Sequence, residues 1–241
     1  GPFHLAHGAC PYLPDRDWSS VSLHVERIEP YEVQGLLEAG FRRSGREFYR
    51  PACPDCQACV PLRLPVARFH PGRTQRRVWR RNQDLEVVQV PPGCTEEKLD
   101  LYRRFLARRF ARHGPPGPED FENFLGSGPG RTLEMDYRLG GRLVGFGILD
   151  ATPGSASSVY FVHDPDEADR RLGTFSVMQE VEWCRVTGRS HLYLGLWVAR
   201  CRAMDYKTRF HLHELLLPGQ GWCPEGGGAA LPAGTDPAGR S

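Results

Sequence analysis

The 241-residue chain predicts an α+β protein. Three observations carry that expectation. Residues 132–139, 143–150 and 157–163 are three consecutive strand-like runs, and Gly140-Gly141 between the first two suits a tight hairpin turn. Residues 172–187 then change to helical spacing, with Leu172, Phe175, Met178, Val181 and Cys184 or Trp183 on one face and Gly188 as the stop. Two further strand-like runs, 191–197 and 210–217, follow the helix.

The first half is less regular. Residues 4–28 show little helical period, and Cys10-Pro-Tyr-Leu-Pro14 is an extended segment locked by its prolines. Residues 30–39 predict a short helix with Glu32 in its first turn and Gly40 as its stop. Residues 42–49 and 62–69 predict two strands flanking a cysteine loop, Cys53-Pro-Asp-Cys56-Gln-Ala-Cys59. Pro91-Pro92-Gly93 is the clearest break, which sets a 1–90 N-terminal subdomain against a 91–217 domain. Beyond it Thr95 caps a helix with Leu99, Tyr102, Phe105, Leu106 and Phe110 on one face. Arg104, Arg108 and Arg112 form a stripe on another, which an anionic partner would relieve, with a solvated face as the plainer reading. Residues 114–130 are a Pro/Gly-rich loop around a short helix at 120–125. Residues 218–241, nearly without aliphatic side chains, predict a disordered tail.

A net charge of +2 hides a strong asymmetry. No acidic side chain stands between Asp55 and Asp84, while Arg68, Arg73, Arg76, Arg77, Arg80 and Arg81 all fall there. Such a strip points to a polyanionic partner. Cysteines two apart on one loop can turn their sulfurs to one ion or cluster, and Cys10 is the nearest candidate to join Cys53, Cys56 and Cys59. Cys94, Cys184, Cys201 and Cys223 are scattered and read as free thiols, which places the chain in a reducing, cytoplasmic compartment. No apolar run is long enough for a membrane span.

The order of helices, three antiparallel strands, a helix opening Arg-Arg-Leu-Gly173-Thr, and two more strands resembles the GCN5-type acyltransferase fold, with a small N-terminal cysteine-containing subdomain added. In that fold the central helix opens on the phosphates of the acyl donor. Coenzyme A enzymes carry a second small residue two after that glycine; here Phe175 stands there, against a pyrophosphate and against a coenzyme A-dependent acetyltransferase.

Longer motifs are specific to one family. Gly40-Phe-Arg-Arg-Ser-Gly45, Tyr49-Arg-Pro, the cysteine loop, Thr74-Gln-Arg-Arg77, Arg81-Asn82, Asp164-Pro-Asp, Leu172-Gly-Thr-Phe-Ser176, Tyr193-Leu-Gly and Cys201-Arg-Ala-Met-Asp-Tyr206-Lys207-Thr-Arg-Phe210 occur in family order. In these the chain resembles the aminoacyl-tRNA–protein transferases, and among them the short bacterial aspartate/glutamate leucyltransferases. One departure is Leu196-Trp197, where the family has Tyr-Trp.

The resemblance implies transfer of an amino acid, leucine before arginine, from aminoacyl-tRNA to the α-amine of proteins beginning with Asp or Glu, marking them for degradation. The ester is already activated, so no nucleotide cofactor is needed, and the chain is expected to act as a monomer. Holding amine and ester in line can supply up to ~7–11 kcal/mol of the barrier. Arg73, Arg76, Arg77, Arg80 and Arg81 are the expected tRNA contacts, with a solvated loop as the plainer reading. Arg42, Arg43, Lys207 and Arg209 are candidates to read the acceptor carboxylate. Tyr160, Asp164 and Tyr206 would orient the amine or take its proton. Cys10, Cys53, Cys56 and Cys59 would hold zinc or an iron–sulfur cluster, to which family members have been linked. A non-catalytic, zinc-containing RNA-binding module is the reading from another class.

Overall fold

A computed structural model of the chain describes residues 1–13, 15–109, 114–126, 128–199, 201 and 204–227. Two sheets result. The smaller has the order β1-β2-β4-β3 and is wholly antiparallel, from β1 (Phe3–Ala9), β2 (Asp17–His24), β3 (Arg42–Ser44) and β4 (Glu47–Pro51). Residues 4–28 thus hold two strands that their irregular pattern hid. Most of β1 is exposed on both faces, so no alternation marks it, and His7 stacks on Trp18 of β2 at 3.7 Å. The expected single strand at 42–49 is a hairpin instead. Gly45, at φ +58°, turns it where a Cβ would sit 2.6 Å from the Asn123 carbonyl oxygen.

Helix α1 (Pro30–Glu38) connects β2 to β3 and buries Val33 and Leu37. The larger sheet then begins at β5 (Cys59–Pro65), which starts at the last cysteine of the loop. Helix α2 (Arg73–Arg81) and β6 (Leu85–Val90) follow, then α3 (Glu96–Arg109) and α4 (Pro118–Leu125). Thr95 Oγ1 accepts from Lys98 N at 3.3 Å, the cap its sequence implied. Strands β7 (Thr132–Leu139), β8 (Arg142–Ala151) and β9 (Ser155–His163) form the expected meander, with Gly140 and Gly141 both at positive φ in the first turn. Helix α5 (Leu172–Val186), β10 (His191–Val198), β11 (Glu214–Leu217) and β12 (Gly221–Pro224) complete the order β12-β11-β5-β10-β9-β8-β7-β6.

Two sequence expectations change here. Residues 221–224 pair with β11, so the stretch after Pro218 begins with a strand; residues 228–241 of the expected tail lie outside the described residues. The Pro91-Pro92-Gly93 break leads from β6 into α3 within one continuous sheet layer, because β5 and β6 pair with strands from the second half. The piece that stands apart is the four-stranded sheet.

Both faces of the large sheet are covered. Helices α5 and α2 bury Leu172, Phe175, Met178, Val181 and Val78 against one face, and α3 and α4 bury Leu101, Phe105, Phe121 and Leu125 against the other. Each such side chain contributes about 1.5–3 kcal/mol relative to exposure. Arg43 latches the small sheet to the large one. Its Nε and Nη2 lie 2.6 and 3.1 Å from the two carboxylate oxygens of Asp150, with both side chains buried. Losing one partner of such a pair costs about 3–5 kcal/mol.

Among the described residues, strands β9 and β10 are the one parallel pair of the large sheet, joined by α5 as a crossover. They pair over only three residues, 155–157 with 191–193, and diverge beyond that. Irregularities at Ile148/Leu149 against β9 and at Tyr193/Leu196 against β5 accompany the divergence. The splayed ends open a site.

Candidate active site at the splayed strands

Arg42 stands beside β10 where that strand has parted from β9. It is half-buried, its Cζ lies 5.6 Å over the Tyr49 ring, and no carboxylate pairs with it among the described residues. Gly195 of β10 faces it at φ +73°, and a Cβ there would stand 3.6 Å from the guanidinium carbon. Only glycine suits that conformation without strain. Tyr160 of β9 and Tyr206 lie within the field of Arg42, as does Tyr12 from the turn after β1.

The three phenols share one electrostatic state. Burial raises Tyr160 and Tyr206, though Arg109 and Arg42 partly offset it, and burial pushes Tyr12 up to about 12. All three therefore stay protonated at neutral pH and act as O–H donors. Tyr206 is 39% exposed. Tyr160 is wedged edge-on against Phe105 and Phe124, with centroids 6.3 and 5.0 Å away.

Lys207 is buried beside this group. Its Nζ donates to the Leu196 carbonyl at 2.6 Å, and burial, then Arg42, lower its pKa to about 7. The amine thereby holds β10 in its diverging path. Arg43 is engaged by Asp150 and sits outside the opening, and Arg209 is exposed, with its backbone carbonyl accepting from Gln75 Nε2 at 3.1 Å.

Asp164 is separate again. It is 1% exposed, and both its oxygens are held by guanidinium groups: Arg104 at 2.8 and 3.4 Å, Arg142 at 2.5 Å. Although burial raises its pKa, Arg104, the Asp166 amide and Arg142 bring it below the ordinary carboxylate value. An anion so engaged anchors α3 to the end of β9 and has no lone pair directed at an amine. The same pair answers the expectation of an anionic partner for the Arg104 stripe: the anion is internal. Arg108 is exposed, and Arg112 lies outside the described residues.

The arginine run is a helix and not a loop. Residues 73, 76, 77, 80 and 81 recur at i, i+3, i+4, i+7 and i+8, so all five arginines share the outer face of α2. None has a carboxylate partner among the described residues. Gln75 and Val78 are buried on the opposite face, and Arg81 Nη1 donates to the Asp169 carbonyl at 2.6 Å.

The cysteines gather around Cys59. Asp55, at φ +56°, turns the loop, and Ser19 N donates to Cys53 Sγ at 3.4 Å. Arg16 Nη1 donates to the Asp55 carbonyl at 3.1 Å, which docks the turn that holds Cys10 onto the loop. Burial raises Cys59 to about 12, and Cys10, Cys53, Cys56 and also Cys201 add to that. Cys201, a free thiol as expected, thus lies within the field of Cys59. The donors suit a soft ion, yet among the described residues no three ligand side chains converge closely enough to hold one.

Residues 8–77 match the family described as arginine-tRNA-protein transferase, N terminus, and residues 97–217 match its C terminus. The chain belongs to the arginine-tRNA-protein transferase family. Members of this family are enzymes that act on aminoacyl-tRNA and protein substrates. An aspartate/glutamate leucyltransferase from Pseudomonas fluorescens (strain Pf0-1) is 38% identical over 214 residues, spanning 87% of this chain and 90% of the relative. Another from Pseudomonas putida (strain W619) is 39% identical over the same spans. The fold is also that of the C-terminal domain of a protein assigned as a lysylphosphatidylglycerol synthetase from Agrobacterium fabrum, at TM-score 0.50 and 15% identity, covering 78% of this chain and 63% of that one.

The helix N-terminus that takes the donor phosphates in coenzyme A enzymes is closed in this transferase. Phe175 is 1% exposed and packed by Trp79 and Tyr137, with centroids 5.4 and 6.0 Å away. One residue of the site escaped the sequence reading altogether. Glu180, 1% exposed on the inner face of α5, accepts from Ser158 Oγ at 3.2 Å, while its second oxygen has no partner among the described residues. Burial raises it to about 8. The signal was present: residues 176, 180 and 184 form one buried helical row, with an acid in its middle.

Proposed function

We propose that this transferase moves leucine from leucyl-tRNA to the α-amine of proteins that begin with Asp or Glu. The observation that carries the proposal is the half-buried Arg42, which has no carboxylate partner among the described residues, stands beside Gly195 and has Tyr160 and Tyr206 within its field. Arg42 pairs the acceptor's side-chain carboxylate, which sets its α-amine against the ester carbonyl. The amine nitrogen attacks the carbonyl carbon, the bond to the ribose oxygen breaks, and the amine proton passes to that oxygen. Tyr160 and Tyr206, kept protonated, donate to the developing oxyanion rather than accept the amine proton. The donor's phosphates dock along the arginine face of α2.

The names of the relatives support leucine over arginine as the transferred residue. The deciding experiment supplies labelled leucine or arginine on tRNA to peptides beginning Asp, Glu, Asn or Lys. Leucine on the two acidic peptides is the expected product; arginine in its place would reassign the donor, and no product at all would end the proposal. Zinc or an iron–sulfur cluster at Cys10, Cys53, Cys56 and Cys59 belongs to the same proposal as a fastening for the small sheet, in a reducing compartment that keeps all eight cysteines free of disulfides. Because no three of these sulfurs converge among the described residues, binding would have to draw the cysteine loop and the turn of Cys10 together. Metal analysis of anaerobically purified protein is expected to show bound zinc or iron. Metal-free protein with full activity would remove that part.

A further inference from the structure

A second concavity lies outside the splay, between α2 and α5, with a volume of about 290 Å³. Phe69, Pro71, Trp79, Met178 and Val181 give it an apolar floor. Arg76, Arg80 and Arg185 stand around it. Arg185 pairs with Glu182, another lining residue, whereas Arg76 and Arg80 have no carboxylate partner among the described residues. Arg76 Nη1 donates to the Pro71 carbonyl at 2.6 Å, which sets its guanidinium at the rim.

Helical geometry explains the arrangement. Trp79 falls at the margin of α2, between the buried row of Gln75 and Val78 and the row of Arg76 and Arg80. Its ring leans on Phe175 at 5.4 Å, so one side is fixed by the core and the indole borders the groove. On α5, residues 178, 181, 182 and 185 recur at i, i+3, i+4 and i+7 and form the facing wall.

We propose that this groove takes an unstacked nucleobase of the tRNA, set against Trp79, while Arg76 and Arg80 hold the flanking phosphates. The inference rests on the reading that the donor is leucyl-tRNA, and it names where part of that donor sits away from its acyl end. The volume is at the small end of ligand pockets, which run from ~300 Å³ upward. Proteins recognise splayed RNA bases by stacking them on aromatic rings, with cations on the adjoining backbone. An apolar floor flanked by Arg76 and Arg80, which have no carboxylate partner among the described residues, matches that chemistry and suits neither an acidic peptide nor a neutral apolar one. The groove is also displaced from the chemistry. Helix α5 starts beyond the splayed end of β9 and runs back toward the paired ends of β9 and β10, so its 178–185 half lies away from Arg42. The base is thus not the one that bears the amino acid.

The test compares two donors on the full chain: leucyl-tRNA and the leucyl ester of a short CCA fragment, each with a Glu-initiated peptide. Trp79→Leu is expected to raise KM for leucyl-tRNA by about 5- to 100-fold, the equivalent of one base stack. It leaves kcat and KM unchanged for the short ester and for the peptide, and Trp79→Phe restores most of the loss. Arg76→Glu with Arg80→Glu should weaken the same donor and flatten its salt dependence. Equal loss on both donors would make Trp79 structural; a raised peptide KM would give the groove to the acceptor; no change would leave it empty. Each of these overturns the inference. If the unaltered enzyme transfers no leucine, the functional reading fails by itself. The groove is then judged by the dissociation constant of uncharged tRNA, which Trp79→Leu must still weaken.

Discussion

Arg42→Ala is expected to lower kcat/KM for Asp- and Glu-initiated peptides by about 10²–10³-fold, with little change in thermal stability. The magnitude follows from leaving a desolvated carboxylate without its partner, a loss of about 2–5 kcal/mol. Stability is spared because the guanidinium has no internal carboxylate to abandon among the described residues; its internal contact is the Tyr49 ring. The adjacent Arg43 is the contrast, since its loss would strand Asp150. The decisive readout is the preference for Glu- over Gln-initiated peptide. A site built around a cation rejects the amide strongly, because the cation is then left unpaired. Arg42→Ala should bring the two peptides close to parity by slowing the acidic one. Arg42→Lys keeps the charge but loses the planar fork, and falls between. A Glu-to-Gln preference that survives Arg42→Ala moves carboxylate recognition elsewhere, with Arg209 the next cation to try.

The difference between Arg42 and Arg43 shows what the sequence could and could not convey. The Gly-Phe-Arg-Arg-Ser-Gly motif marks both residues equally. Alternation along β3 then sends one toward the splay and the other toward Asp150, 107 residues away in the chain. Pairing at that separation leaves no local pattern to read. Asp164 is the same case, because its partners Arg104 and Arg142 belong to α3 and β8. The second half of the fold was legible, since α5 and the β7–β9 meander have strong periods and a Gly-Gly turn. Strands β1 and β2 were not, because a small sheet with exposed faces needs no apolar alternation. In α2 the charge was legible and the helix was not: five arginines in nine residues obscure the two buried positions, 75 and 78, that give it an inner face.

Glu180 carries the second large effect, and it is one of pH. Its native pKa of about 8 lies well above its ordinary 4.5, so between those values the folded chain holds a proton that the unfolded chain has released. Stability conferred by that proton is complete below about 4.5 and is lost as pH rises through about 8. Across the window the loss amounts to roughly 3–5 kcal/mol for this one group. Glu180→Gln keeps the shape and the contact with Ser158 while removing the titration. Urea unfolding at pH 5 and pH 8.5 should therefore show the wild type losing about that much more stability than the variant. Parallel losses would mean that the carboxyl is already ionised in the folded chain. The consequence reaches the site, because Glu180 is the acid whose field falls on Tyr206, against those of Arg109 and Arg42. Neutral, it leaves the opening cationic and receptive to an acidic acceptor. Ionised, it adds a negative field at Tyr206, which disfavours an acidic acceptor there. The KM of a Glu-initiated peptide should then rise with pH through about 8 in the wild type and stay flat in Glu180→Gln, with the α-amine titrating equally in both.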